Sequence, residues 1–468
     1  MELQAMLAAA LDHADGEKPT ALEELQAYLR LPSVSTQPDH DGDVRASAEW
    51  TAAALRRAGM ENVTLIATQR HPLVYADWLH AGPTFPTVLI YGHYDVQPPE
   101  PLGLWETPPF TPTVRDDYIY ARGASDDKGQ TLVHIRAVGA YLQATGRLPV
   151  NVKFIIEGEE ESGGQSLAAF IPENKQKLAA DIAVVSDTAI ISPEQPAIVY
   201  GLRGNSYVLL DISGPARDLH SGSYGGAINN PLNVLGHVIA ALKDMDGTVQ
   251  IPGFYDNVRP LSAEERELLN ALPLTEAQLL ADTGAPAVWG EPAFTLVERL
   301  SARPTLDVHG ISGGYTGPGA KTVLPARVHA KISMRLVPDQ DPVRIAAAFR
   351  AYVESLVPAS CRLEMTFRGG GGSPATIVDY RVPAVQAARR AYAAAFGREP
   401  LLMREGGSIP VVGQFQKHLD LQTVLMGFGL PTDRLHSPNE RFYLPNFYRG
   451  IETALHFLAH YAELSQLP

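Results

Sequence analysis

Three short apolar runs, each ending abruptly in polar residues, constrain this chain more than any other feature. They are "TVLIYGH" (87–93), "VNVKFIIEG" (150–158) and "DIAVVSD" (181–187). Each has the length of a buried strand. Between the first two lies "KGQTLVHIRAVGAYLQATG" (128–146), where Leu132, Ile135, Val138 and Leu142 recur at helical spacing and Gly146 supplies a stop. Alternating strand and helix units predict an α/β layer on a mostly parallel sheet between helices.

The pattern changes from about Ser206. "SYVLLDISG" (206–214) and "RVHAKISMRLVP" (327–338) alternate apolar and polar residues, as half-buried antiparallel strands do. Two helical patterns, 230–245 and 341–356, accompany them. A further helix at 382–397 and an apolar strand at 421–429 return to the first pattern. The reading is a larger α/β domain over 1–205 and 381–468, interrupted by a smaller α+β domain over 206–380.

Composition narrows the class. No uninterrupted apolar run in the 468 residues approaches the roughly 20 of a membrane span. The N-terminal stretch lacks the basic region of a signal peptide, so a cytoplasmic location is expected. One cysteine, Cys361, excludes an internal disulfide framework or a cysteine-rich zinc site. A formal net charge of -14 argues against nucleic-acid and anionic-membrane partners.

Polar residues gather where the strands end, which is where open α/β sheets collect ligands. The first run leads into His93 and Asp95, the second into Glu159, Glu160 and Glu161, the third into Asp187. "GASDDKG" places Asp126 and Asp127 before a helix, and "LHSPNER" supplies His436 in a loop. Taken singly, such an aspartate is a helix N-cap, a glutamate run is a solvated turn and a histidine is a structural residue. Repeated at several strand ends, they are expected to converge on one crevice. Imidazole and carboxylate without thiolate suit zinc, with manganese or cobalt as substitutes. Two histidines and at least three acids exceed the needs of one tetrahedral ion, which points to a pair of ions sharing a carboxylate. One further carboxylate would stay off the metals as general base.

Two other motifs carry less. "GISGG" (310–314) fits a nucleophile-elbow pattern, but its Gly-rich surroundings read as a loop. In "GYTGPGAKT" Ala320 breaks the spacing of a phosphate-binding loop.

The ordered set "YGHYDVQP", "RGASDDKG", "EGEEESGG", "VVSDT", "YGLRG", "DLHSGSYGG", "GAKTVLPARVHAKISMRLVP", "REGGSIPVV" and "LHSPNER" resembles the di-zinc metallopeptidases. That family includes cytosolic nonspecific dipeptidase, carnosinase, glutamate carboxypeptidase, acetylornithine deacetylase and succinyl-diaminopimelate desuccinylase. "YGLRG", "DLHSG" and "GAKTVLP" look most like its dipeptidase branch. "SDT" at 186–188 departs from the "SDN" of the animal dipeptidases.

The resemblance implies that Asp126 bridges two metals, with His93 and Asp187 completing one site and Glu161 and His436 the other. Glu160 would be the general base and Asp95 would orient His93, leaving Glu159 to face solvent or a structural partner. A cis peptide would join Asp126 to Asp127. The inserted domain would be a ferredoxin-like lid that also forms a homodimer, through which His220 reaches the partner's site to stabilise an oxyanion. Arg335 would hold a substrate carboxylate, and Thr322, Gly407 and Ser408 would line the pocket. The expected activity is hydrolysis of dipeptides or short peptides by a water bridging two metal ions. The alternatives are an N-acyl-amino-acid deacylase or a glutamate-carboxypeptidase-type exopeptidase on the same site; a noncatalytic scaffold on this fold is disfavoured because every apparent ligand is present.

Overall fold

In the computed structural model, which describes residues 2–466, contacts divide the chain into two units. The first gathers the chain up to Tyr200, then Val378–Met403 and the chain from Gln414 onward. The second gathers Gly201–Ile377 and Arg404–Gly413.

After helices over Glu2–Gly16, Lys18–Leu29 and Asp41–Arg57, the first unit supplies strands β1 (Glu61–Ile66), β2 (Leu73–Trp78), β3 (Thr87–His93), β4 (Asn151–Glu157), β5 (Ile182–Val185) and β6 (Ala197–Leu202). The last two residues of β6 fall in the second unit. Strand β3 lies between β4 and β5 and runs parallel to both. Parallel neighbours need a crossover, and helix α1 (Lys128–Thr145) lies in the connection from β3 to β4. Gly146 ends α1 with φ 72°, a left-handed cap whose N–H returns to the Leu142 carbonyl. Every residue of β4 is buried, so its sequence reads as a continuous run rather than an alternation. On the far side of β4, β2 and β1 add antiparallel pairings.

In the second unit β7 (Gly204–Ser213), helix α2 (Pro231–Leu242), β8 (Thr305–Gly313), β9 (Arg327–Leu336), helix α3 (Pro342–Leu356) and β10 (Arg362–Phe367) follow in that order. Its strands form an antiparallel sheet ordered β8-β9-β7-β10. Alternate residues of β7, Val208, Leu210 and Ile212, pack with Val234 and Val238 of α2 and Phe349 and Val353 of α3. One correction concerns "GISGG". Residues 310–313 are not a loop but the end of β8, with Ser312 opposite His329. The register shifts between Val308 and Gly310, so the glycine marks a bulge inside a paired strand.

The chain then returns to the first unit with helix α4 (Pro383–Phe396), β11 (Thr423–Leu425) and helix α5 (Leu444–Leu464). Strand β11 pairs parallel with β5 and antiparallel with β6. The central strands β4-β3-β5-β11 are thus parallel and the flanks antiparallel. The apolar run at 421–429 keeps only its first part in the sheet. Beyond it Gly427 passes so close to Thr188 that a Cβ would lie 2.0 Å from that residue's carbonyl oxygen. Among the described residues no helix is long and apolar enough to cross a membrane.

Candidate metal centre

Because β3 and β4 are paired in parallel with His93 opposite Glu157, their following residues leave one edge of the sheet together. His93 is wholly buried, and its Nε2 stands 3.1 Å from Asp126 Oδ1 and 3.9 Å from Asp187 Oδ2. His436 Nε2 stands 3.0 Å from the other Asp126 oxygen, Oδ2, and 3.4 Å from Glu161 Oε1. Two groups result, His93–Asp126–Asp187 and Asp126–Glu161–His436, each with its donor atoms within 4.8 Å of one another. Asp126 belongs to both and turns one oxygen to each imidazole. The Asp126–Asp127 peptide is cis.

The surrounding bonds orient these groups. His93 Nδ1 meets the Asp95 carbonyl at 3.1 Å and Asp95 Oδ1 at 3.4 Å, which favours the proton on Nδ1 and a lone pair on Nε2. Asp95 Oδ2 accepts from Ser35 Oγ at 2.6 Å and from the Glu161 N–H at 3.1 Å. Asp127 Oδ2 accepts from the His93 N–H and from Thr131 Oγ1. Glu161 Oε2 accepts from Gln97 at 2.7 Å. Glu159 is buried and serves a structural partner rather than solvent, accepting from the His71 N–H, the Ser166 N–H and Ser166 Oγ.

The charges are out of balance without a cation. Burial pushes the Glu160 carboxyl up to about 8, and it also raises Glu161 and Asp187, the latter well above the carboxylate range. Burial alone would raise Asp126 too, but His436 and His93 hold it below that range. Asp126 and Glu161 push His436 up to about 10. Burial opposes a charge on His93, yet Asp126 and Asp95 raise it well above its ordinary value. His93 Nε2 is fully buried and lacks the alignment of a hydrogen bond to any group. A buried imidazole nitrogen facing carboxylate oxygens, with no thiolate nearby, is a donor set that fits a divalent cation.

The remaining sequence candidates lie in the second unit, as two pairs. His220 is exposed at the end of a two-residue strand; its Nδ1 accepts the Gly222 N–H at 3.0 Å, which leaves Nε2 as the N–H donor. Thr322 is beside it, its carbonyl accepting the Ser221 N–H at 3.1 Å. Arg335 is half-buried and donates to Ser408 Oγ at 3.2 Å, and Ser408 donates to the Arg203 carbonyl at 2.6 Å. Gly407 is exposed next to Ser408. Nothing in the sequence singles out Ser35, whose partner lies in a distant segment. Gln97, in "YGHYDVQP", gives no sign of its bond to Glu161, and Glu440, in "LHSPNER", offers only its charge as a signal.

The model of peptidase family M20/M25/M40 matches residues 89–460. Human Beta-Ala-His dipeptidase is 35% identical over 399 residues, covering 85% of this chain and 78% of the relative. The Cys-Gly metallodipeptidase DUG1 of Saccharomyces cerevisiae is 30% identical over 477 residues, covering 98% of each. A crystal structure described as an M20 family metallo-carboxypeptidase from Sulfolobus solfataricus superposes with a TM-score of 0.87 at 33% identity, over 95% of this chain and 99% of that one. The matched span contains both candidate ligand groups. The chain belongs to peptidase family M20/M25/M40.

Proposed function

We propose that the chain is a metal-dependent dipeptidase whose two ligand groups hold a pair of divalent ions, most simply zinc, with manganese or cobalt as substitutes. The observation that carries this is the division of the Asp126 carboxylate between two imidazoles, each backed by a further acid. His93, Asp126 and Asp187 would hold one ion, and Asp126, Glu161 and His436 the other. Such a pair supplies an acidified water and an electrophile for the scissile carbonyl.

The chain's own residues account for the rest. Glu160 belongs to neither group, but its carboxyl responds to the charges of His93, Glu161 and Asp126; it would take a proton and return it to the leaving amine. Asp95 holds the His93 ring in one tautomer. In the second unit, read as a ferredoxin-like lid and dimerisation domain over 206–380, Arg335 takes the substrate's terminal carboxylate beside Gly407 and Ser408. His220, with Thr322 next to it, donates from Nε2 to the developing oxyanion of the partner subunit's site. Mixed dimers carrying His220→Ala in one subunit and Glu160→Gln in the other should regain turnover if the histidine acts across the interface. The protein is read as a cytoplasmic homodimer.

A second reading follows from the similarity to the Sulfolobus solfataricus metallo-carboxypeptidase. In that case the enzyme removes a terminal residue from peptides whose amine is blocked. One metal-loaded preparation assayed on Ala-Ala, N-acetyl-alanine and an N-blocked tripeptide separates the cases. A dipeptidase hydrolyses the first far faster than the other two; the reverse order would favour the deacylase or the carboxypeptidase.

A further inference from the structure

Asp126 and His436 stand 310 residues apart in the chain, yet their side chains must meet to within hydrogen-bond distance. A short antiparallel ladder, Arg441–Tyr443 against Tyr118–Tyr120, joins their two segments, and beside it the Glu440 side chain binds the backbone that leads to Asp126. Glu440 Oε1 accepts the N–H groups of Ser125 at 3.1 Å and Asp126 at 3.2 Å. Its Oε2 accepts the Gly123 N–H at 3.0 Å and Arg122 Nη1 at 2.6 Å. The Glu440 carbonyl accepts the Ala121 N–H. A second, weaker tie runs through Asp433, whose Oδ2 accepts Ser125 Oγ at 2.9 Å.

Glu440 and Arg122 are each 1% exposed, so this is a buried ion pair. Burying such a pair costs more than its attraction returns unless further bonds satisfy it. Here those bonds go to the backbone that presents Asp126, and the amides concerned would otherwise be buried without acceptors. The two ligand groups depend on this tie unequally. His93 is fixed mainly within its own segment, at the end of β3 and by the Asp95 carbonyl two residues on; its N–H also donates to Asp127, next to Asp126. His436 lies on a loop with left-handed residues at Arg434, His436 and Asn439, and its ring is 57% exposed.

We propose that Glu440 is a positioning residue that sets His436 against Asp126, so that the Asp126–Glu161–His436 group needs it and the His93–Asp126–Asp187 group does not. The inference rests on the reading that both groups hold metal. It is tested by titrating chelator-stripped full-length wild type and Glu440→Gln with Co2+, following visible absorption and bound metal by equilibrium dialysis. Wild type should bind two equivalents. Glu440→Gln should keep one with wild-type affinity and bind the second about 10-fold or more weakly, the scale at which partners of a ligand act. Two equivalents of unchanged affinity in the folded variant, or equal weakening of both, would overturn the assignment. Wild type binding fewer than two would instead overturn the metal reading itself. If Glu440→Gln does not fold, Asp433→Asn weakens the acceptor shared by Ser125 Oγ and the Leu430 N–H; it should weaken the second equivalent alone, and unchanged affinities there would count equally against the proposal.

Discussion

His93 and His220 are both read as active-site imidazoles, yet the protein holds them in opposite ways. His93 ends a strand buried from Val88 onward, with its Nδ1 on Asp95, its N–H on Asp127 and its Nε2 facing two carboxylates. His220 is exposed, and its ring accepts a backbone N–H from Gly222. The same contrast separates Asp95 and Asp127, each accepting from two donors, from the exposed Thr322 and Gly407 in the second unit. A metal ligand set must exist before its ion arrives, because buried charges without it are costly. Groups that meet a substrate can remain exposed until it binds.

Substitutions can break or sharpen that contrast. Asp126→Asn should have the largest effect. It removes the charge shared by both groups, so bound metal should vanish along with turnover, beyond the 10–100-fold attributed to outer partners; retention of either ion, by elemental analysis, contradicts a bridging role. Glu160→Gln should lower kcat by about 10²–10⁴ while both ions stay bound. Near-normal turnover there would remove Glu160 from the chemistry. For His220→Ala a kcat loss of about 10²–10³ is expected with metal content untouched. Arg335→Met should raise KM for dipeptides by roughly 10–100-fold, the value of a hydrogen bond to a charged group. An unchanged KM would return Arg335 to a structural role.

The smallest expected effect is on pH. His436 is raised to about 10 in the metal-free fold, so its ion pairs with Asp126 and Glu161 add stability below its ordinary value near 6.5. That stability is lost as pH rises through about 10. A cation must displace this proton, so binding near pH 7 should release protons and tighten as pH rises. Calorimetry in buffers of different ionisation enthalpy reads the release directly, and none would mean that His436 is not a ligand.

The strand ends were legible because an apolar run that stops at an acid or a histidine leaves few places for the charge to go. His93, Asp95 and Asp187 are of this kind. Glu159 and Glu160 show where that reasoning stops: adjacent residues of one type, of which one clamps His71 and Ser166 and the other is the proposed base. Their difference depends on which way each side chain leaves the turn after β4. Glu440 was less legible still, because its amide partners come from a segment that only the tertiary fold brings near. The bulge in β8 misled for a similar reason, since glycines that look like a loop are held in register by β9.

The central claim is that two ions sharing Asp126 make the hydrolytic centre. It is tested most directly by adding Mn2+ or Zn2+ stepwise to chelator-stripped protein while measuring Ala-Ala hydrolysis and bound metal together. The account predicts no hydrolysis without metal and full activity only near two equivalents per chain. Hydrolysis that survives stripping, or that saturates at one equivalent, would contradict it.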